Sequence, residues 1–128
     1  MTKWVFLWRI LSLIWAALII VAALIHFRHI DNSPWSSLPY ADKYAHFLLY
    51  SVFSFLTFLG FQNSFKKLWK LTAVTIAYAI SIEFIHLIIP YRTFELFDIV
   101  ANGFGTIIGI LAFYIMKNLL AKPLFLKN

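Results

Sequence analysis

Cysteine is absent from this sequence, which removes disulfides, thiolate metal sites and cysteine nucleophiles. Acidic residues are scarce: five Asp and Glu stand against eleven Lys and Arg in 128 residues, a formal charge of +6. Charged residues of both signs make up only 12% of the chain, while 62% is apolar. A soluble domain carries about 25% charged and about 45–50% apolar residues. A chain this short has too little interior to hide that excess from water, so the excess must face lipid. A multi-domain enzyme and a disordered chain are both excluded. Glycine and proline number four each, and the prolines flank the long apolar runs instead of interrupting them.

Those runs lie near Val5–Ile25, Tyr44–Phe61, Trp69–Ile89 and Ile99–Met116, each close to the roughly 20 helical residues that cross a bilayer. None shows the polar residue at every second position that a membrane barrel strand requires. The predicted fold class is therefore all-α: one domain over residues 1–128, a polytopic membrane four-helix bundle. Met1–Ala23 also has signal-peptide features, with Lys3 at its start and Val21-Ala22-Ala23 suited to cleavage. Its apolar run of about 20 residues exceeds the usual 7–15 of a signal core, so a retained anchor is expected. Eight of the eleven basic residues (Lys3, Arg9, Lys66, Lys67, Lys70, Lys117, Lys122 and Lys127) fall on one side of four spans, with no acid among them. Positive segments stay cytoplasmic, which predicts both termini and the middle loop inside. The positive charge is thus a topology signal with some attraction for anionic lipid, and no nucleic-acid partner is expected.

Nearly all chemically capable residues collect on the other side. Asp42, Lys43, His46 and Tyr50 share the start of the second span, Asp42, His46 and Tyr50 on one helical face. Glu83 and His86 lie three apart near the end of the third; Arg92 and Glu95 follow in a loop; Asp98 and Asn102 open the fourth. Glu83 stands seven residues before Pro90, about 10 Å down a helix. An ionised carboxylate at that depth is costly and needs a partner, a proton or a wet cavity. Three polar stripes confined to the outer ends of three helices should converge inside the bundle, making a polar pocket that opens outward.

Each residue also has a plainer role. His46 alone fits a packed histidine bonded to a carbonyl. Asp42 and Asp98 suit helix caps, and Arg92 suits an interfacial anchor. Gly105-x-x-x-Gly109 reads as close helix packing. Trp4, Trp8, Trp35 and Trp69 suit the interfacial belts. His26, His29 and Asp31 resemble a metal cluster only weakly. The coincidence of Asp42, His46, Glu83, Arg92, Asp98 and Asn102 on one side argues against structure alone.

The order Asp42-Lys43-Tyr-Ala-His46-Phe47, Glu83-Phe-Ile-His86, Pro90-Tyr-Arg92 and Asp98-Ile-Val-Ala-Asn102-Gly103-Phe-Gly105 resembles the VanZ-like membrane proteins. The likeness runs from about Asp42 to Gly109. It departs at His86, where the family commonly has Gln; an imidazole titrates and ligates metal where an amide does not. The resemblance implies a place in the bacterial cytoplasmic membrane, with the founding type tied to teicoplanin resistance. It also implies a grouping with four-helix membrane proteins proposed to act on lipid head groups, an analogy of fold that does not fix a reaction.

The expected partner is accordingly a membrane lipid, such as a polyprenyl-phosphate-linked envelope precursor, and the expected activity is head-group hydrolysis or transfer. Phosphoryl chemistry needs charge neutralisation and a proton acceptor. Arg92 and Lys43 would meet the phosphate, and His46, oriented by Asp42, would be base or nucleophile. Glu83 and Asp98 would act as acid or base, or hold a divalent cation, and Asn102, His86 and Tyr50 would bind substrate. The alternative is a non-catalytic binder of an envelope lipid or antibiotic that uses the same pocket for recognition. A proton- or ion-coupled carrier gains from Glu83 and His86 but lacks a polar stripe continuing into the cytoplasmic half.

Overall fold

A computed structural model describes residues 3–24, 39–64 and 68–121. They form α1 (Lys3–Leu24), α2 (Ala41–Phe61), α3 (Leu68–His86) and α4 (Leu96–Ala121), with a 3₁₀ turn at Gln62–Ser64 closing α2. There is no strand among the described residues. All four helices are long and apolar enough to cross a membrane, and the protein is an all-α, multi-pass membrane bundle. Large apolar side chains such as Trp4, Leu13, Phe104 and Leu120 stay exposed, as a lipid-facing surface requires.

The helix ends differ from the expected spans in ways that matter for the site. α2 begins at Ala41 because the amides of Lys43 and Tyr44 bond the Tyr40 carbonyl at 3.0 and 3.2 Å. Tyr40 itself takes the left-handed conformation at φ 61° and caps nothing with its side chain. Asp42 therefore lies inside the first turn and is not the cap. α4 begins at Leu96, with the Asp98 amide on the Glu95 carbonyl at 3.1 Å, so Asp98 is also a first-turn residue. α3 stops at His86, short of the expected Ile89. Leu87, Ile88 and Ile89 donate back three residues in a tighter turn, since Pro90 disfavours helix at the residue before it. α4 continues to Ala121; no proline intervenes before Pro123.

α2 and α4 run parallel and form the closest pair. A Cβ added at Gly105 would strike the Phe47 carbonyl, and one at Gly109 would strike the Ser51 carbonyl and the Ser54 hydroxyl. The two glycines thus let α4 lie on the backbone of α2, the close packing that their spacing predicted. Gly60 plays the same part for α1, where an added Cβ would meet the Arg9 backbone. Ser54 Oγ donates to the Thr106 carbonyl at 3.0 Å, and Ser12 and Thr57 hydroxyls bond at 2.8 Å.

α1 is secured by a different device: side chains that reach a backbone carbonyl. Trp15 Nε1 donates to Leu49 O at 2.9 Å and Arg9 Nε to Gly60 O at 2.9 Å. From the other side, Tyr78 donates to Ala16 O at 2.6 Å, Tyr91 to Leu24 O at 2.7 Å and Arg92 Nη2 to Ala22 O at 2.7 Å. Two apolar clusters complete the interior. Ile19, Ala23, Tyr50, Phe53, Ala79 and Ile82 pack in the half nearer the polar groups, and Phe58, Leu71 and Phe113 pack in the other.

Candidate functional site

The end of the bundle where α2 and α4 start and α3 stops holds the polar groups. Two helix N-termini, each carrying partial positive charge, meet there, which favours acids in their first turns. Asp42 and Asp98 occupy those turns.

The cluster is built outward from Glu83, which is 0% exposed. Its Oε1 accepts from Asn102 Nδ2 at 3.3 Å and lies 3.5 Å from His46 Nδ1, while its Oε2 faces His86 Nδ1 at 3.2 Å. His46 Nδ1 pairs with Asn102 Oδ1 at 2.9 Å, and His46 Nε2 stands 3.7 Å from Asp98 Oδ2. With Asn102 donating its amide to Glu83, its carbonyl oxygen must accept from His46, which places a proton on Nδ1. The other Asp98 oxygen, Oδ1, lies 2.5 Å from Lys43 Nζ. Lys43 also meets Asp42 Oδ2 at 2.6 Å and Glu95 Oε2 at 2.5 Å. His46 is 20% exposed at its side chain, between the buried Glu83 and the half-open rim of Asp42 and Glu95.

The three stripes therefore converge as the spacing predicted, and the isolated carboxylate finds its partners. Four details differ from expectation. Asp42 pairs with Lys43 and not with His46, whose neighbours are Asn102, Glu83 and Asp98. Lys43 is surrounded by carboxylates, so its charge is already balanced before any phosphate arrives. Arg92 reaches the end of α1 at Ala22, and His46 and Glu83 take their contacts from Asn102, His86 and Asp98. The polar side chains contact one another instead of lining an open pocket; the neighbouring groove of about 440 Å³ is bordered by Lys43, Tyr44, Phe47, Ala101, Phe104 and Ile108. Tyr50, one turn below His46, is buried, and its hydroxyl finds no hydrogen-bond partner among the described residues; the same holds for His86 Nε2.

Glu95 joins the cluster through Lys43 although spacing within a helix did not single it out. Its signal was positional, an acid three residues before Asp98 at the start of a span. His26, His29 and Asp31 lie outside the described residues, as do Arg28, Trp35, Lys66, Lys67, Lys122 and Lys127. Ligand atoms of His46, Glu83 and Asp98 lie within 4.8 Å of one another, as do those of Asp42, Glu95 and Asp98. The second group already surrounds a cation, the Lys43 ammonium.

Comparison with known proteins extends beyond the polar cluster. An uncharacterized protein of Schizosaccharomyces pombe is 30% identical over 95 residues, covering 73% of this chain and 59% of that one. The chain thus spans less than two thirds of the curated relative's length. No solved structure matches. The family model described as VanZ/LLP1 matches residues 4–117, a stretch that reaches into all four helices and spans the whole polar cluster, and the chain belongs to that family.

Proposed function

We propose that this protein acts on the phospho-head group of a membrane lipid, as a hydrolase or a transferase. The observation that carries this reading is the position of His46, partly exposed and in contact with the buried Glu83, Asn102 and Asp98. Asn102 holds Nδ1 protonated, which makes Nε2 the working atom. In the proposed step Nε2 takes the proton of an attacking hydroxyl or water as its oxygen bonds to phosphorus. The bond from phosphorus to the departing alcohol breaks, and the same proton passes to that alcohol's oxygen. Asp98 Oδ2, facing Nε2, stabilises the imidazolium in between. Glu83 backs Asn102 and His86 from below. Arg92 and Lys43 supply donors to the phosphate, Lys43 by turning from its exposed partners Asp42 and Glu95 to the head group.

The lipid is proposed to lie in the outer leaflet of a bacterial cytoplasmic membrane, a polyprenyl-phosphate-linked precursor being one candidate, and changed head groups would be the route to any glycopeptide (teicoplanin) resistance. Full-length protein in nanodiscs with defined phospholipids and polyprenyl phosphates, followed by mass spectrometry of the lipids, tests the chemistry. Wild type should alter a head group, whereas His46→Gln and Glu83→Gln should fold, retain lipid and give no product. Tight lipid binding without product from wild type would replace catalysis with the non-catalytic binder, a reading favoured by the balanced charge around Lys43.

A further inference from the structure

Each of three side chains in the polar cluster has one ligating atom turned inward and the other held by a separate partner. His46 presents Nε2 while Asn102 holds Nδ1. Asp98 presents Oδ2 while Lys43 holds Oδ1. Glu83 turns Oε2 to His86 and Oε1 toward the His46 side, where Oε1 also accepts from Asn102 at 3.3 Å and keeps a second lone pair. This is the pattern of a metal centre, in which the second nitrogen of a ligating histidine and the second oxygen of a ligating carboxylate are fixed from behind. We propose that His46, Glu83 and Asp98 bind one divalent ion of the manganese or zinc class.

Three further observations support the assignment. The His46 Nδ1 proton leaves a lone pair on Nε2 that faces a carboxylate oxygen at 3.7 Å, so two lone-pair-bearing atoms stand opposite each other across a gap. Two atoms at that separation can each stand about 2.1 Å from an ion seated between them, a normal ligand distance. Charge points the same way. Four of the chain's five acids gather here, and three share one lysine. Outside the ligand set, the Tyr50 hydroxyl is 1% exposed and without a hydrogen-bond partner among the described residues. It lies one turn from His46 on the same helical face, a buried donor left over beside the ligand set. One imidazole and two carboxylates suit manganese or zinc; calcium prefers more oxygens and no nitrogen.

The inference concerns the site assigned above to head-group chemistry and rests on that reading only for its place. With an ion bound, His46 Nε2 is a ligand and cannot also accept the proton of the attacking oxygen, so ligation replaces that role of His46. Binding is measurable without lipid turnover. Full-length protein in detergent is titrated with Mn²⁺ under electron paramagnetic resonance and with Zn²⁺ by calorimetry in two buffers. The expected result is one saturable site per chain, with protons released on binding and nitrogen coupling in the manganese signal that His46→Gln removes. Asp98→Asn and Glu83→Gln should weaken binding at least tenfold, and Asn102→Ala about 10–100-fold. Asp42→Asn should stay within about twofold, since surface pairs add little. Circular dichroism checks that each variant folds, and the wild-type titration stands without them. No saturable binding of either ion up to about 1 mM, or unchanged affinity in both carboxylate variants, overturns the site. Saturable binding without lipid turnover leaves the metal site standing and removes the head-group reading. Turnover that persists in a chelator, with no saturable binding, does the reverse.

Discussion

Lys43 makes three ion pairs of similar length, and burial ranks them. The Asp98 side chain is 8% exposed, whereas Asp42 and Glu95 are 57% and 44% exposed. A surface pair contributes about 0–1 kcal/mol, because water and salt screen it. Breaking a buried pair costs about 3–5 kcal/mol, because an uncompensated charge stays behind. Lys43→Met should therefore destabilise the protein by about 3–5 kcal/mol, nearly all of it through Asp98. Asp42→Asn and Glu95→Gln should each change stability by less than about 1 kcal/mol. Thermal unfolding in one detergent at fixed salt checks the order, and equal losses for Asp42→Asn and Lys43→Met would refute it.

Between helices, α2 and α4 are joined where side chains are missing. Gly105→Ala and Gly109→Ala would each push a methyl group into the α2 backbone, at a cost of about 1–3 kcal/mol typical of overpacking. Gly103 is the internal control, since nothing lies within 4 Å of a Cβ added there. Gly103→Ala should be neutral, or stabilising by up to about 1 kcal/mol, because alanine is the better helix former. Equal effects at the three positions in thermal unfolding would falsify this account of the seam. The seam was legible in the sequence, as was the convergence of His46, Glu83, Asp98 and Asn102, because both follow from spacing along one helix. Which acid meets His46 was not. Spacing puts Asp42 on the right face, but the register of α2 against α4 brings Asp98 to Nε2 and leaves Asp42 to Lys43. The end of α3 could be read only to within a turn, because Pro90 limits the helix without saying how many residues before it unwind. The carbonyl-directed bonds of Trp15, Tyr78 and Arg92 were invisible, since every residue offers the same acceptor.

For the whole molecule, the charge pattern predicts how the bundle sits in the membrane, with both termini and the middle loop inside. Single cysteines at Ser37 and Thr93 should react with a membrane-impermeant thiol reagent in intact cells, and one at Asn63 should not. The cysteine-free background keeps the assay clean. Labelling at Asn63 alone would invert the protein and turn the His46 cluster toward the cytoplasm.

The attachment of α1 has a consequence for how this protein can change over time. Tyr78, Tyr91 and Arg92 grip it at the carbonyls of Ala16, Leu24 and Ala22, and a carbonyl survives any substitution at the residue that bears it. At these three points the information that positions α1 is therefore stored in its neighbours, whereas Arg9 and Trp15 carry it on α1 itself. The exposed Leu24 side chain is left to drift with the lipid around it, while Ala16, packed against the apolar core, and the donors on α3 and the segment after it stay under constraint.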